Sequence, residues 1–159
     1  MSYGSIFDPI IWWILQTKGI KVVETEQTAF NFDINISHLL SYVNENMNSY
    51  WVRRVQKMEI SITELYNLPT EDIDYEIEWT VLGLLRQFYT LKEHDIISKL
   101  GAGKYALQNL PMEWHPIIKE AMNIRKGEKE MIFISDKERI DVTIRFSKYI
   151  IHYCSPIKQ

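Results

Sequence analysis

Apolar residues recur at helical spacing through most of the chain, and this periodicity outlines the fold. Leu39, Leu40, Val43, Met47, Tyr50 and Trp51 form one stripe, which Val52, Val55 and Met58 extend. The clearest set is Ile77, Val81, Leu84, Leu85, Phe88 and Leu91, which follows a break at Asn67-Leu68-Pro69-Thr70. Ser98 is placed to cap a helix running to about Asn109, Pro111 separates it from a helix over about 113–126, and Gly127 stops that one. Ser135 or Asp136 opens a last helix carrying Ile140, Ile144, Tyr149, Ile150 and Tyr153. Near the start, Asp8-Pro9 combines an N-cap acceptor with proline at the first helical position, and Gly19 is a stop after Trp12, Trp13 and Leu15. Residues 20–24 alternate and are β-branched enough for a short edge strand or a connector. The pattern predicts an all-α fold: one domain over 1–159, a compact bundle of about six helices, with one short edge strand near 20–24.

Composition constrains partners more than it constrains the fold. Eighteen basic against 21 acidic side chains give a net charge of -3, so no whole-molecule field favours nucleic acid, and a cationic partner is the easier one. Cys154 stands alone and makes no internal disulfide, and no secretory leader pattern opens the chain, so a cytoplasmic location is expected. The longest apolar run, Ile10 to Leu15, is far shorter than the roughly 20 residues of a membrane-spanning helix. His38, His94, His115 and His152 lack metal-ligand spacing, and with one cysteine they make no zinc signature, so no metal site is expected. Trp12-Trp13 with Tyr3 and Phe7 reads either as core or as an aromatic patch for a partner, a second copy of the chain included.

Glu71, Asp72, Asp74, Glu76 and Glu78 crowd the start of the clearest helix. Acids there complement the partial positive charge of a helix N-terminus. Asp72 and Glu76 also share a face with Gly83 and Arg86, away from the apolar stripe. Two such carboxylates repel across an empty surface, and an amino sugar or polyamine would neutralise both. Gly83 would let a ring approach the backbone, and Arg86 and Lys99 are either anion contacts or ordinary cations, solvated or paired with a nearby carboxylate.

The residues from Asp72 to Gly127 carry a more specific pattern: Glu76, then Arg86 to Tyr89, Asp95-Ile96 to Lys99, Tyr105-Ala106 to Leu110-Pro111, and Pro116-Ile117-Ile118. In this order they resemble the C-terminal helical domain of the aminoglycoside adenylyltransferases that modify streptomycin and spectinomycin. Residues 67–127 match best, and 1–24 resemble the segment that joins the family's two domains. The resemblance implies that Asp72 and Glu76 contact the drug, Glu76 replacing an aspartate, with Tyr66 nearest to the family's drug-facing aromatic residue. It implies phosphate contacts at Arg86 and Lys99, and places Arg125 where the family has a tyrosine that helps hold the nucleotide.

ATP and magnesium are likewise implied by the family. Its catalytic domain needs a Gly-Ser turn closely followed by Asp-x-Asp, because metal ions must neutralise phosphate charge. Gly4-Ser5 and Asp72-Ile73-Asp74 are too far apart for that, so no catalytic residue is assigned and no cofactor is expected on this domain alone. The expectation is a substrate- and nucleotide-binding helical domain without the nucleotidyltransferase domain, which binds a cationic ligand or acts with a catalytic domain in trans. Two alternatives stay open: a helical ribonuclease-like toxin domain, from the loose Arg145 and His152 pairing on the last helix, and an interaction domain with no ligand.

Overall fold

The computed structural model describes residues 36–128, 130 and 132–155. The expected helix after Asp8-Pro9, the edge strand at 20–24, Gly4-Ser5 and the Trp12-Trp13 patch lie outside these residues. Helix α1 (Ile36–Asn46) passes through a π-helical turn (Met47–Trp51) into α2 (Val52–Ile60), so the long apolar stripe of the sequence is one continuous helical run. Then follow α3 (Ile62–Tyr66), α4 (Thr70–Glu93), α5 (Lys99–Asn109), a 3-10 turn (Met112–Trp114), α6 (His115–Lys126) and α7 (Asp136–Cys154). With α1 to α2 counted as one run, the described residues form six helical segments and no strand.

Helix α4 is the axis of the bundle. At 1.5 Å per residue it is about 36 Å long, and it packs along α5, α6 and α7 and touches α1. Ile73, Ile77, Val81, Leu82, Leu84, Leu85 and Phe88 are all buried, so apolar residues cover more than one side of this helix, as its central position requires. The remaining helices close over it, α6 and α7 burying residues on more than one side as well.

Helix ends follow local chemistry. Ser98 Oγ accepts from the Gly101 amide at 3.0 Å, and Ser135 Oγ accepts from the Glu138 amide at 3.1 Å, each satisfying a donor left over at a helix start. Gly127 ends α6 at φ 77°, which lets the Glu128 amide reach back to the Asn123 carbonyl at 2.9 Å. His94 ends α4 in the same left-handed region, at φ 57°. The chain then turns through 95–98 into α5. The helix expected from about residue 113 begins as a 3-10 turn, with α geometry from His115. Trp114 is buried there, its ring 5.6 Å from Phe146 and 5.2 Å from Tyr149.

One buried cation ties three helices together. Arg139 of α7 donates to Asp74 of α4, to Glu120 of α6 and to Asp136 of its own first turn. Burial works against its charge, but the hydrogen bonds it donates to Asp74, Glu120 and Asp136 outweigh that and raise its proton affinity above that of a free arginine. No helix among the described residues is long and apolar enough to cross a membrane.

Candidate functional site

The acidic run at the start of α4 separates into pairs instead of forming one patch. Successive helical residues turn about 100°, so Glu76 points away from Asp74 and Glu78, which lie four residues apart on one face and a turn from each other along the axis. Asp74 meets Arg139 of α7, and Glu76 meets Arg54 of α2. Glu78, only 8% exposed, meets Lys99 Nζ at 2.9 Å and Arg125 at 3.7 Å. Asp72 is exposed and makes no side-chain hydrogen bond or ion pair with a described residue. The expected repulsion between Asp72 and Glu76 is therefore relieved within the protein: Arg54 neutralises Glu76, and its Nε also donates to Thr80 Oγ1 at 3.3 Å.

Further along the same face of α4, the three cations assigned to the nucleotide come together. Arg86 Nε donates to the Ile97 carbonyl at 3.1 Å and has no carboxylate partner among the described residues. Burial first, and the neighbouring Arg125 charge second, lower its proton affinity from the usual arginine value. Lys99 Nζ lies 5.2 Å from the Trp79 ring centre, and Trp79 stacks on Tyr75 at 6.1 Å. Arg125 approaches from the last turn of α6, so the position where the family has tyrosine adds a third cation. Lys99 and Arg125 thus share one buried carboxylate and Arg86 stands beside Arg125 without one, an excess of positive charge that favours a multiply charged anion. Glu78 is the member that sequence reasoning left out of the site. No local signal marked it, because its partners lie on α5 and α6.

A cavity of about 320 Å³ opens beside Arg86 and Lys99, between α1, the π turn, α4 and the 95–98 connector. Gly83 lies in its wall, and the ring that approaches this glycine is the protein's own Trp51. Asp72 and Glu76 do not line the cavity; they sit further toward the start of α4. Glu76 and Arg86 are about 15 Å apart along the helix axis. Tyr66 is held elsewhere, its hydroxyl donating to Asp141 Oδ1 at 2.5 Å and Lys137 standing over its ring at 5.4 Å. The Asp141 hydrogen bond, then burial and the Asp141 charge, raise the Tyr66 hydroxyl above the usual tyrosine range.

The remaining candidates do not converge on this cavity. Arg145 and His152 are both exposed, two turns apart on α7 and about 10 Å along its axis. Arg145 faces a shallow depression with Glu59, Asp141 and Lys148, which His152 does not line. Among the described residues, no group of three or more His, Cys, Asp or Glu side chains gathers as a metal ion would require.

Comparison with known proteins supports the resemblance drawn from the residues. No curated protein and no solved structure matches the chain. The family model of the aminoglycoside adenylyltransferase C-terminal domain matches residues 54–149, a span that starts at Arg54, takes in α4, α5 and α6, and ends within α7. It covers more than half of the sequence and every residue of the cation cluster, and on this match the chain belongs to the family of aminoglycoside adenylyltransferase C-terminal domains.

Proposed function

We propose that this domain forms the ligand-holding floor of an adenylyl-transfer cleft, as in a cytoplasmic antibiotic-resistance enzyme. Arg86, Lys99 and Arg125 compensate the triphosphate of ATP, and Asp72 and Glu76 take ammonium or guanidinium groups of an aminoglycoside. The observation that carries this reading is the pairing of Lys99 and Arg125 with one buried carboxylate, Glu78, beside a cavity lined by Lys99 and Arg86, with Arg86 next to Arg125 and without a carboxylate partner among the described residues. The order along α4 agrees with it: Asp72 and Glu76 come first and Arg86 later on one face, with Lys99 of α5 and Arg125 of α6 brought in from the side, so a cationic acceptor and an anionic donor would lie side by side. In this reading the domain's share of the reaction is binding and charge compensation. A nucleotidyltransferase domain acting in trans would supply the metal carboxylates and the group that activates the drug hydroxyl.

Isothermal titration with ATP, streptomycin and spectinomycin tests the proposal. ATP should bind, and Arg86→Met with Lys99→Met should weaken it by about tenfold or more, the loss of one or two charge-assisted contacts. Asp72→Asn with Glu76→Gln should weaken the aminoglycoside and spare ATP. Absence of binding by the wild type, or affinities indifferent to these pairs, would overturn the reading.

A further inference from the structure

Arg54 is a resident cation on an acid that the proposed function gives to the acceptor. Trp51 and Val55 are buried and fix this part of the α1–α2 run against the core, which leaves Arg53 exposed and turns Arg54 onto α4. There one arm of its guanidinium holds Glu76 Oε2, and Nε donates to the buried Thr80 hydroxyl at 3.3 Å. This pair is unlike the one that ties the bundle together. Arg139 is shared among three carboxylates, and its side chain and that of Glu120 are almost fully enclosed. The side chains of Arg54 and Glu76 are 21% and 31% exposed, and Glu76 Oε1 has no hydrogen-bond partner among the described residues. Asp72 stands one helical turn earlier, about 6 Å along the axis, exposed and without a side-chain partner among the described residues.

An ion pair as open as this one contributes little to stability, so a second cation can take the place of the first at small cost. The closest chemical match to what Glu76 already holds is another guanidinium. A ligand with two cationic groups, spaced to reach Asp72 as well, gains a second contact that Arg54 does not make. Resting on the proposed function, we infer that Arg54 is an internal competitor for the acceptor site. It occupies Glu76 in the unliganded domain and gives it up to a dicationic ligand of the bis-guanidinium or diamine class that spans Asp72 and Glu76. A ligand with one cationic group is served by Asp72 alone and leaves Arg54 in place. Arg54 therefore lowers the affinity for dications selectively, and it sets how strongly the site prefers them.

The test is isothermal titration of the full chain with streptomycin, which carries two guanidinium groups. Arg54→Gln should tighten binding by about fivefold, the gain from no longer breaking one open ion pair. Arg53→Gln removes the same charge from the exposed neighbouring position and should change the affinity much less, because a charge that does not touch the site is screened. In a Glu76→Gln background, Arg54→Gln should bring no gain. Thermal unfolding confirms folded chains. Should Arg54→Gln not fold, Arg54→Lys decides: lysine keeps the charge but lacks the planar fork that holds Glu76 and Thr80 together, so streptomycin should again bind more tightly, by a smaller factor. If the wild type binds and the folded variant binds equally or less tightly, Arg54 only positions Glu76; the inference falls and the proposed function stands. A gain that Arg53→Gln matches, or that persists without the Glu76 charge, also overturns the inference. Streptomycin binding by neither the wild type nor the folded variant overturns it together with the proposed function.

Discussion

The indole of Trp51 lies on the backbone of Gly83, so closely that a Cβ built on the glycine would stand 2.7 Å from Cη2 and 3.0 Å from Cζ2. This contact seats the α1–α2 run on the face of α4 that carries the candidate ligand residues. Two effects oppose each other when Gly83 becomes alanine. A helix interior gains about 1 kcal/mol from the change, whereas forcing a methyl group into a packed indole costs about 1–3 kcal/mol. Gly83→Ala should therefore destabilise the protein by about 1 kcal/mol in urea unfolding, the overpacking cost exceeding the helix gain. In a Trp51→Leu background the same change should stabilise by about 0.5–1 kcal/mol, because only the helix term remains. An unchanged sign in both backgrounds would show that the indole contact does not limit the site.

The Arg139 network should respond according to burial. Its guanidinium and the Glu120 carboxylate are almost fully enclosed, at 5% and 3% side-chain exposure, whereas Asp74 is 36% exposed. Removing the cation leaves Glu120 buried and uncompensated, so Arg139→Met should cost about 3–5 kcal/mol. Asp74→Asn removes a partner that water can partly replace, and should cost about 1 kcal/mol or less. Chemical denaturation of the two variants checks the gradient, and equal losses would argue against it.

The legible and illegible parts of this molecule divide by the range of the interactions involved. Helix ends were readable because their causes are local: Ser98 and Ser135 cap their own first turns, and Pro69 and Gly127 break the backbone where they stand. Partners were not readable. The string of acids from Glu71 to Glu78 is plain in the sequence, but that Asp74, Glu76 and Glu78 meet Arg139, Arg54 and Lys99 depends on how four helices pack. Gly83 signalled a close approach correctly and could not say what approaches; the ring is Trp51, from a helix whose position no local pattern specifies. Arg86, Lys99 and Arg125 were named through resemblance, since their separation along the chain carries no information about their meeting. The cavity had no sequence signature, because its walls come from α1, α4 and a connector.

Tyr105 should make stability fall at alkaline pH. Burial, and then the hydrogen bond it donates to Glu93 at 2.6 Å, push its hydroxyl up to about 12 from the model-compound value of 10.0. A folded-state value above the unfolded one means that the unfolded chain loses this proton first. The contribution is complete below pH 10 and is lost as pH rises from there toward 12. Tyr105→Phe should therefore lower stability at pH 8 and narrow its gap from the wild type as pH rises from 9 to 11, read as the difference between the two unfolding midpoints. A gap that stays constant over that range would show that the tyrosine does not titrate differently in the two states.

Glu78 should act in opposite directions on stability and on anion binding. Its carboxylate is nearly buried, and it holds Lys99 at 2.9 Å and Arg125 at 3.7 Å, two of the three cations assigned to the triphosphate. An incoming phosphate must share these cations with Glu78, so the carboxylate both assembles the site and competes for it. Glu78→Gln keeps the shape and removes the charge. The loss of a mostly buried charge-assisted bond should cost about 1.5–3 kcal/mol of unfolding free energy. The cations freed by the change should bind ATP about tenfold more tightly, with a steeper decline as salt is raised, because more unbalanced positive charge meets the phosphates. Titration at two salt concentrations, beside urea unfolding, separates the effects. If Glu78→Gln weakens both stability and ATP binding, the carboxylate serves only to position Lys99 and Arg125, and its competition with phosphate is negligible.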